Sequence, residues 1–205
     1  MEILERLFGG AAKVKIIKLF LMNPEATFDT RDSSTRAKIS QGVARKEIVN
    51  LERIGFLKPS HYMKVVKRQK NRTIVPVKKR VSGWTLDQKF PYIPALQSFL
   101  SDLNPFKHKD VVDKISKAGK IQLLIIAGIF IKNQDSRLDL LVVGDNLRVR
   151  EMENIIKTIE SELGKEIRYA IFETTEFLYR QSVFDKLIRD ILDYQHEKII
   201  NRLGL

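Results

Sequence analysis

Residues Ser40 to Leu57 read SQGVARKEIVNLERIGFL. Ser40 stands where an N-cap hydroxyl belongs, because a serine oxygen there accepts from a helix N–H that has no carbonyl partner. Behind it Ala44, Ile48, Leu51 and Ile54 recur at spacings of 4, 3 and 3. That pattern is one apolar stripe on a helix of about fourteen residues. Gly55 sits at the position of a left-handed C-cap, and Phe56-Leu57 begins an extended segment. Gln41, Arg45 and Lys46 fall on the face opposite the stripe, toward its N-terminal end.

Upstream, Ile3, Leu4, Leu7 and Phe8 predict a short helix ending at Gly9-Gly10. Ala11–Met22 reads as a buried helix, stopped by Asn23-Pro24. Thr27–Thr30 is a short extended piece. The next helix, Asp32–Lys38, expects its cap from Thr30 or Asp32. Downstream, residues 57–70 and 73–86 alternate well enough to pair as a hairpin with Gln69–Arg72 at its tip. Leu57, Tyr62, Val65 and Val66 are the apolar positions of one strand; Ile74, Val75, Val77 and Val81 are those of the other. Pro76 marks the second strand as an edge. Trp84, the only tryptophan, reads as an anchor for the hairpin base. An amphipathic helix follows Pro91, and Asn104-Pro105 marks a boundary between domains 1–104 and 105–205.

Charge divides at the same place. Residues 1–104 carry 20 Lys and Arg against 9 Asp and Glu, whereas residues 105–205 carry 17 against 16. Lys58–Arg80 holds nine basic residues and no acidic one. A field of that sign attracts a polyanion, since each neutralised phosphate releases condensed counterions. Cysteine is absent, which excludes disulfides and thiolate metal sites. MEILERLFGG lacks the positive start of a signal peptide, and the longest apolar run, Leu123–Ile131, is too short to span a bilayer. A cytoplasmic protein without a membrane segment is the expectation. His61, His108 and His196 have no ligand-like spacing, and no Ser/His/Asp constellation supports hydrolysis.

The ordered set of three helices, a helix with basic residues on its outer N-terminal face, and two strands resembles winged helix-turn-helix transcriptional regulators. The likeness covers roughly Ala11–Leu86. It implies a recognition helix in the major groove, with Gln41, Arg45 and Lys46 facing the bases, where Gln pairs with adenine and Arg with guanine. It also implies a wing whose Lys58, Lys64, Lys67, Arg68, Lys70, Arg72, Lys78, Lys79 and Arg80 contact the DNA backbone or a minor groove. The bland alternatives are a solvated helix face and lysine protection of an edge strand; the latter does not require nine cations without one acid.

The second half reads as a helix over Val111–Ala118, strands over Ile121–Ile131 and Leu138–Val143, a helix over Arg148–Leu163, a strand over Ile167–Phe172, and helices over Thr174–Tyr179 and Val183–Ile200. Gly128, then Ser136-Arg137-Leu138-Asp139 before an apolar run, resembles the minimal nucleotidyltransferases of the DNA-polymerase-β-like superfamily. In that family a Gly-Ser turn holds the triphosphate and two alternating Asp bind two Mg²⁺. Here Ile129 replaces the serine and Arg137 the first aspartate, so only Asp139 of the pair remains. The resemblance therefore implies a retained fold without catalysis, a vestigial nucleotide site of Gly128, Ser136, Arg137 and Asp139, and no metal. Such a domain is left to dimerise or bind a protein partner, to sense a nucleotide, or to bind nothing. Arg180 is a candidate partner for a phosphate or carboxylate, against the structural expectation that it pairs with Glu173 or Glu176 on its own helix.

The expectation is an α+β chain: an N-terminal winged helix followed by a small α/β nucleotidyltransferase-like domain. It acts as a transcriptional regulator on double-stranded DNA, as a homodimer, without a cofactor, and with a protein partner through the C-terminal domain as the resemblance's further implication. The rivals are an active nucleotidyltransferase acting on RNA or protein, which needs Asp145 or Glu166 as a second carboxylate, and an RNA-binding module.

Overall fold

The computed structural model describes residues 2–70, 73–102, 108–133 and 135–205. Helices and strands mix in an α+β arrangement and gather into two compact units. The first comprises Met1–Pro105 with Glu160–Lys165; the second comprises Phe106–Ile159 with Glu166–Leu205. Asn104 and Pro105, the expected boundary, lie outside the described residues. No described helix is long and apolar enough to cross a membrane.

The first unit opens with α1 (Glu2–Phe8), α2 (Ala11–Leu21), α3 (Thr30–Ala37) and α4 (Gln41–Arg53). Ser40 caps α4 by accepting from the Val43 amide at 3.4 Å. At the other end Phe56 N–H donates to Leu51 O and Gly55 N–H to Glu52 O, with Gly55 at φ 77°. This is the paired closure that a left-handed residue permits. Ala44, Ile48 and Leu51 are buried as the stripe requires. Ile54 departs from it and is exposed, because the helix ends at Arg53 and Ile54 leaves helical geometry as the C-cap. The stripe packs on Ile16, Ile17 and Phe20 of α2 and on Phe28, Phe56 and Leu57. Each such side chain contributes about 1.5–3 kcal/mol on burial. Phe28 meets Phe20 edge-on, with ring centroids 5.5 Å apart. The α3 cap is neither Thr30 nor Asp32 but Asp29, whose carboxylate accepts from the Asp32 amide at 2.7 Å.

Strands β1 (Leu57–Lys70) and β2 (Thr73–Leu86) pair antiparallel from Leu57↔Leu86 to Lys70↔Thr73. Phe28 and Trp84 exchange backbone hydrogen bonds at 2.9 and 3.0 Å, adding one residue of third strand at the hairpin base. Gly83 allows this approach, since a Cβ there would lie 2.6 Å from Phe28 O. Trp84 Nε1 donates to Glu52 at 2.8 Å and so ties β2 to α4. Val65 and Val77, expected to pack, are exposed instead; a two-stranded ribbon beyond its base has no layer to cover it. Helix α5 (Ile93–Asp102) follows.

In the second unit, α6 (His108–Ile115) and a 3₁₀ turn (Ser116–Ala118) lead into β3 (Lys120–Ile126). This strand is shorter than expected because Gly128, at φ 53°, starts a second 3₁₀ turn. Then come β4 (Leu140–Asp145), α7 (Val149–Leu163, of which Glu160–Leu163 counts with the first unit), β5 (Tyr169–Glu173), α8 (Thr174–Ser182), α9 (Lys186–Asp193) and β6 (Glu197–Asn201). The sheet order is β5-β4-β3-β6, with β4 and β5 parallel and the other pairs antiparallel. The single helix expected over Val183–Ile200 is thus wrong. Its helical apolar period stops near Leu192, and Phe184 is exposed at φ 55°. The later residues supply the partner that the second edge of buried β3 needs for its backbone groups.

Candidate nucleic-acid interface

Gln41, Arg45 and Lys46 occupy the first two turns of α4, and all three are exposed. Gln41 and Arg45, four residues apart, share one helix face. The opposite face is anchored by Ala44 and Ile48, so the presentation of the polar set follows from the burial of the stripe.

The hairpin cations fall into separate groups. Lys78, Lys79 and Arg80 on β2 are exposed, and no described acid pairs with them. Lys58 sits 3.4 Å from Asp87 at the base, an exposed pair of small energetic weight. Lys64 departs furthest from the expected role. Its ammonium lies 2.8 Å from Asp29 and 2.5 Å from Asp32. Tyr62 joins this cluster, donating to Asp32 at 2.5 Å and to Asp29 at 3.3 Å. Burial and then the hydrogen bond to Asp32 push the Tyr62 hydroxyl up to about 12. Burial opposes charge on Lys64, yet the hydrogen bonds to both carboxylates raise its pKa above the ordinary lysine value. Burial likewise works against the Asp29 carboxylate, but hydrogen bonds from Lys64 and the Asp32 amide hold it below the usual range. Lys64 is therefore a clamp between the hairpin and α3. Lys67, Arg68 and Lys70 occupy the outer part of β1, and Arg72 lies outside the described residues.

Sequence reasoning missed Asp29 and Asp32. Their spacing of three at a helix start signals only a cap, and 35 and 32 residues separate them from Lys64.

The second set of candidate residues is partly assembled. Asp139 is 1% exposed, and its two oxygens accept four hydrogen bonds. Oδ1 accepts from the Ile129 amide and Arg168 Nη2, both at 3.0 Å. Oδ2 accepts from the Arg168 amide at 2.8 Å and Arg168 Nε at 3.0 Å. Four donors fill the lone-pair capacity of a carboxylate. The bond to Asp139 comes first among the causes that raise the Arg168 pKa. A Cβ on Gly128 would run into the Asp139 carboxylate, so this glycine is required by the packing of Asp139 itself. Ser136 is buried and donates to Leu138 O at 2.6 Å. Arg137 points elsewhere, 2.9 Å from Asp190. Asp145, the suggested second carboxylate, is at the far end of β4 from Asp139 and accepts from Gln122 at 2.7 Å. Glu166 is exposed ahead of β5. Among the described residues, no three His, Asp or Glu side chains gather into a group that would hold a metal ion. Arg180 pairs with Glu176 at 2.9 Å and also with Asp185 at 3.3 Å.

Comparison with family models, with characterised proteins and with solved structures gives no match for this chain.

Proposed function

We infer that the first unit is a winged helix-turn-helix that binds duplex DNA, with α4 in the major groove and the hairpin along the phosphate backbone. The observation that carries this reading is the pairing of two exposed features on one unit. The start of α4 offers Gln41, Arg45 and Lys46, and the adjoining hairpin offers Lys78, Lys79 and Arg80, with no acid partner among the described residues. Side chains of the first kind read base edges, and those of the second hold phosphates. The chain acts as a transcriptional regulator inside the cell, as a twofold pair on a palindromic site.

The second unit is a nucleotidyltransferase-like domain without catalysis. Asp139 supports this reading, because its oxygens are spent on Arg168 and the Ile129 amide and have no lone pair left for a metal. A domain of this kind serves as a scaffold for a partner or a second copy.

Selection of bound duplexes from a random pool tests the DNA reading. The expected result is an enriched site with two symmetric halves. A pool that shows no enrichment, from a protein that retains no duplex even in dilute buffer, sinks it.

A further inference from the structure

The first unit carries an apolar surface that its own fold leaves uncovered. A groove of about 460 Å³ is lined mainly by Leu7 and Phe8 of α1, Ile54 after α4, Phe90, Tyr92, and Leu96 of α5. Leu7 is 66% exposed, Ile54 62% and Tyr92 64%. Ile3, 84% exposed, lies one helical turn from Leu7, and Phe99, 42% exposed, touches the Phe8 ring at 6.5 Å between centroids. These five residues therefore form one continuous patch. At about 200 Å² for a fully exposed large side chain, they present about 600 Å². A patch of this size stands at the top of the range that single folded units expose, about 300–600 Å², and patches of that size are often functional.

We propose that this face binds the same face of a second copy, with α1 of each chain seated in the groove of the other. Three properties select that occupant. The patch holds both a projecting element, Ile3 and Leu7, and the hollow beside it, which is the self-complementary pairing a twofold contact needs. Two copies together bury about 1,200 Å², the lower edge of a standard stable interface. Finally, the chain has a net charge of +12, yet among the described residues the only charged one lining the groove is Lys13, which faces Glu47 at 3.9 Å. The face thus limits the repulsion that two cationic chains would otherwise meet, and its one lysine, opposite Glu47, offers little to a polyanion. This pairing rests on the twofold reading above for its role on DNA, but not for its existence.

Light scattering on the full chain tests it. The expected mass at about 100 µM is twice the 23.8 kDa of one chain. Leu7→Glu and Ile54→Glu, both at exposed positions, should each return the mass to one chain while keeping a single cooperative melting transition, lowered only by the stabilisation that pairing supplies. A parent that is monomeric overturns the proposal, and so does a monomer that takes up an apolar dye in the groove. A parent dimer that both variants preserve places the contact on another surface and also overturns it. If the variants dissociate while neither they nor the parent binds duplex DNA, the interface stands and the DNA reading fails.

Discussion

Replacing Lys78, Lys79 and Arg80 together by alanine separates the cations available to phosphate from those that are not. All three are exposed on β2 without a described acid partner. If each neutralises one phosphate, each adds about 0.9 to the slope of log K against log salt. The triple variant should therefore lose about 2.7 from that slope. Over a fourfold rise in salt this amounts to about a 40-fold smaller fall in affinity than the parent shows. Lys64→Ala removes one positive charge from the same hairpin, but Lys64 already faces Asp29 and Asp32. It should leave the slope at the parent value. Its cost appears in folding stability instead, at about 1–2 kcal/mol for hydrogen bonds to partly buried charged groups. Fluorescence anisotropy on one labelled duplex, titrated with salt, measures all three proteins. A triple variant with the parent's slope would refute the assignment of β2 to phosphate. A full unit lost on Lys64→Ala would refute the clamp.

Other perturbations report on other parts of the molecule. Arg45→Ala should flatten base preference in a duplex selection while changing non-specific binding little; an unchanged preference removes Arg45 from the readout. Asp139→Asn places an amide donor against Arg168 and the Ile129 amide, so denaturant unfolding should show a loss of about 3 kcal/mol or more. A stable variant would mean that the four hydrogen bonds are not formed. The Tyr62 proton is held to about 12 in the fold against 10.0 ordinarily. The folded state then binds more protons than the unfolded one between those values, and stability falls as pH rises through that window. Tyr62→Phe should remove this part of the alkaline loss. Asp29 has the opposite sign: its lowered pKa contributes stability above the ordinary carboxylate range, lost as pH falls. A parent and an Asp29→Asn variant with the same acid limb would discount that contribution.

What the sequence made legible was local. Ser40, the stripe and Gly55 act within a few residues of one another: α4 begins where Ser40 places it, Ala44, Ile48 and Leu51 are buried, and the helix closes at Arg53, one residue before the expected last stripe position, Ile54. The hairpin strands follow alternation and a short turn, and both are found at their expected bounds. Contacts across distance were not legible. Asp139 and Arg168 are separated by 29 residues, and no spacing rule links a carboxylate before one strand to a guanidinium before the next. Strand β6 was missed for the same reason: the helical period ends near Leu192, Ile199 and Ile200 are too short an apolar run to mark a strand by themselves, and the second edge of β3 makes that segment extended.

The acids that reach the hairpin also explain how its cations coexist. Lys64 and Lys79 are direct cross-strand partners, and two like charges so placed destabilise a ribbon. Asp29 and Asp32 resolve the conflict on one strand only. They bind Lys64 from the side of α3 and leave Lys79 exposed. The same arrangement fixes the hairpin to α3 through Tyr62 and Lys64, while Trp84 fixes it to α4 through Glu52. Both helices adjoining the hairpin are therefore tied to it by polar contacts at different strands. A ribbon held at one strand alone would pivot about that contact. Held at both, it keeps Lys78–Arg80 in a fixed relation to the start of α4, and a fixed relation is what simultaneous contact with base edges and phosphates demands.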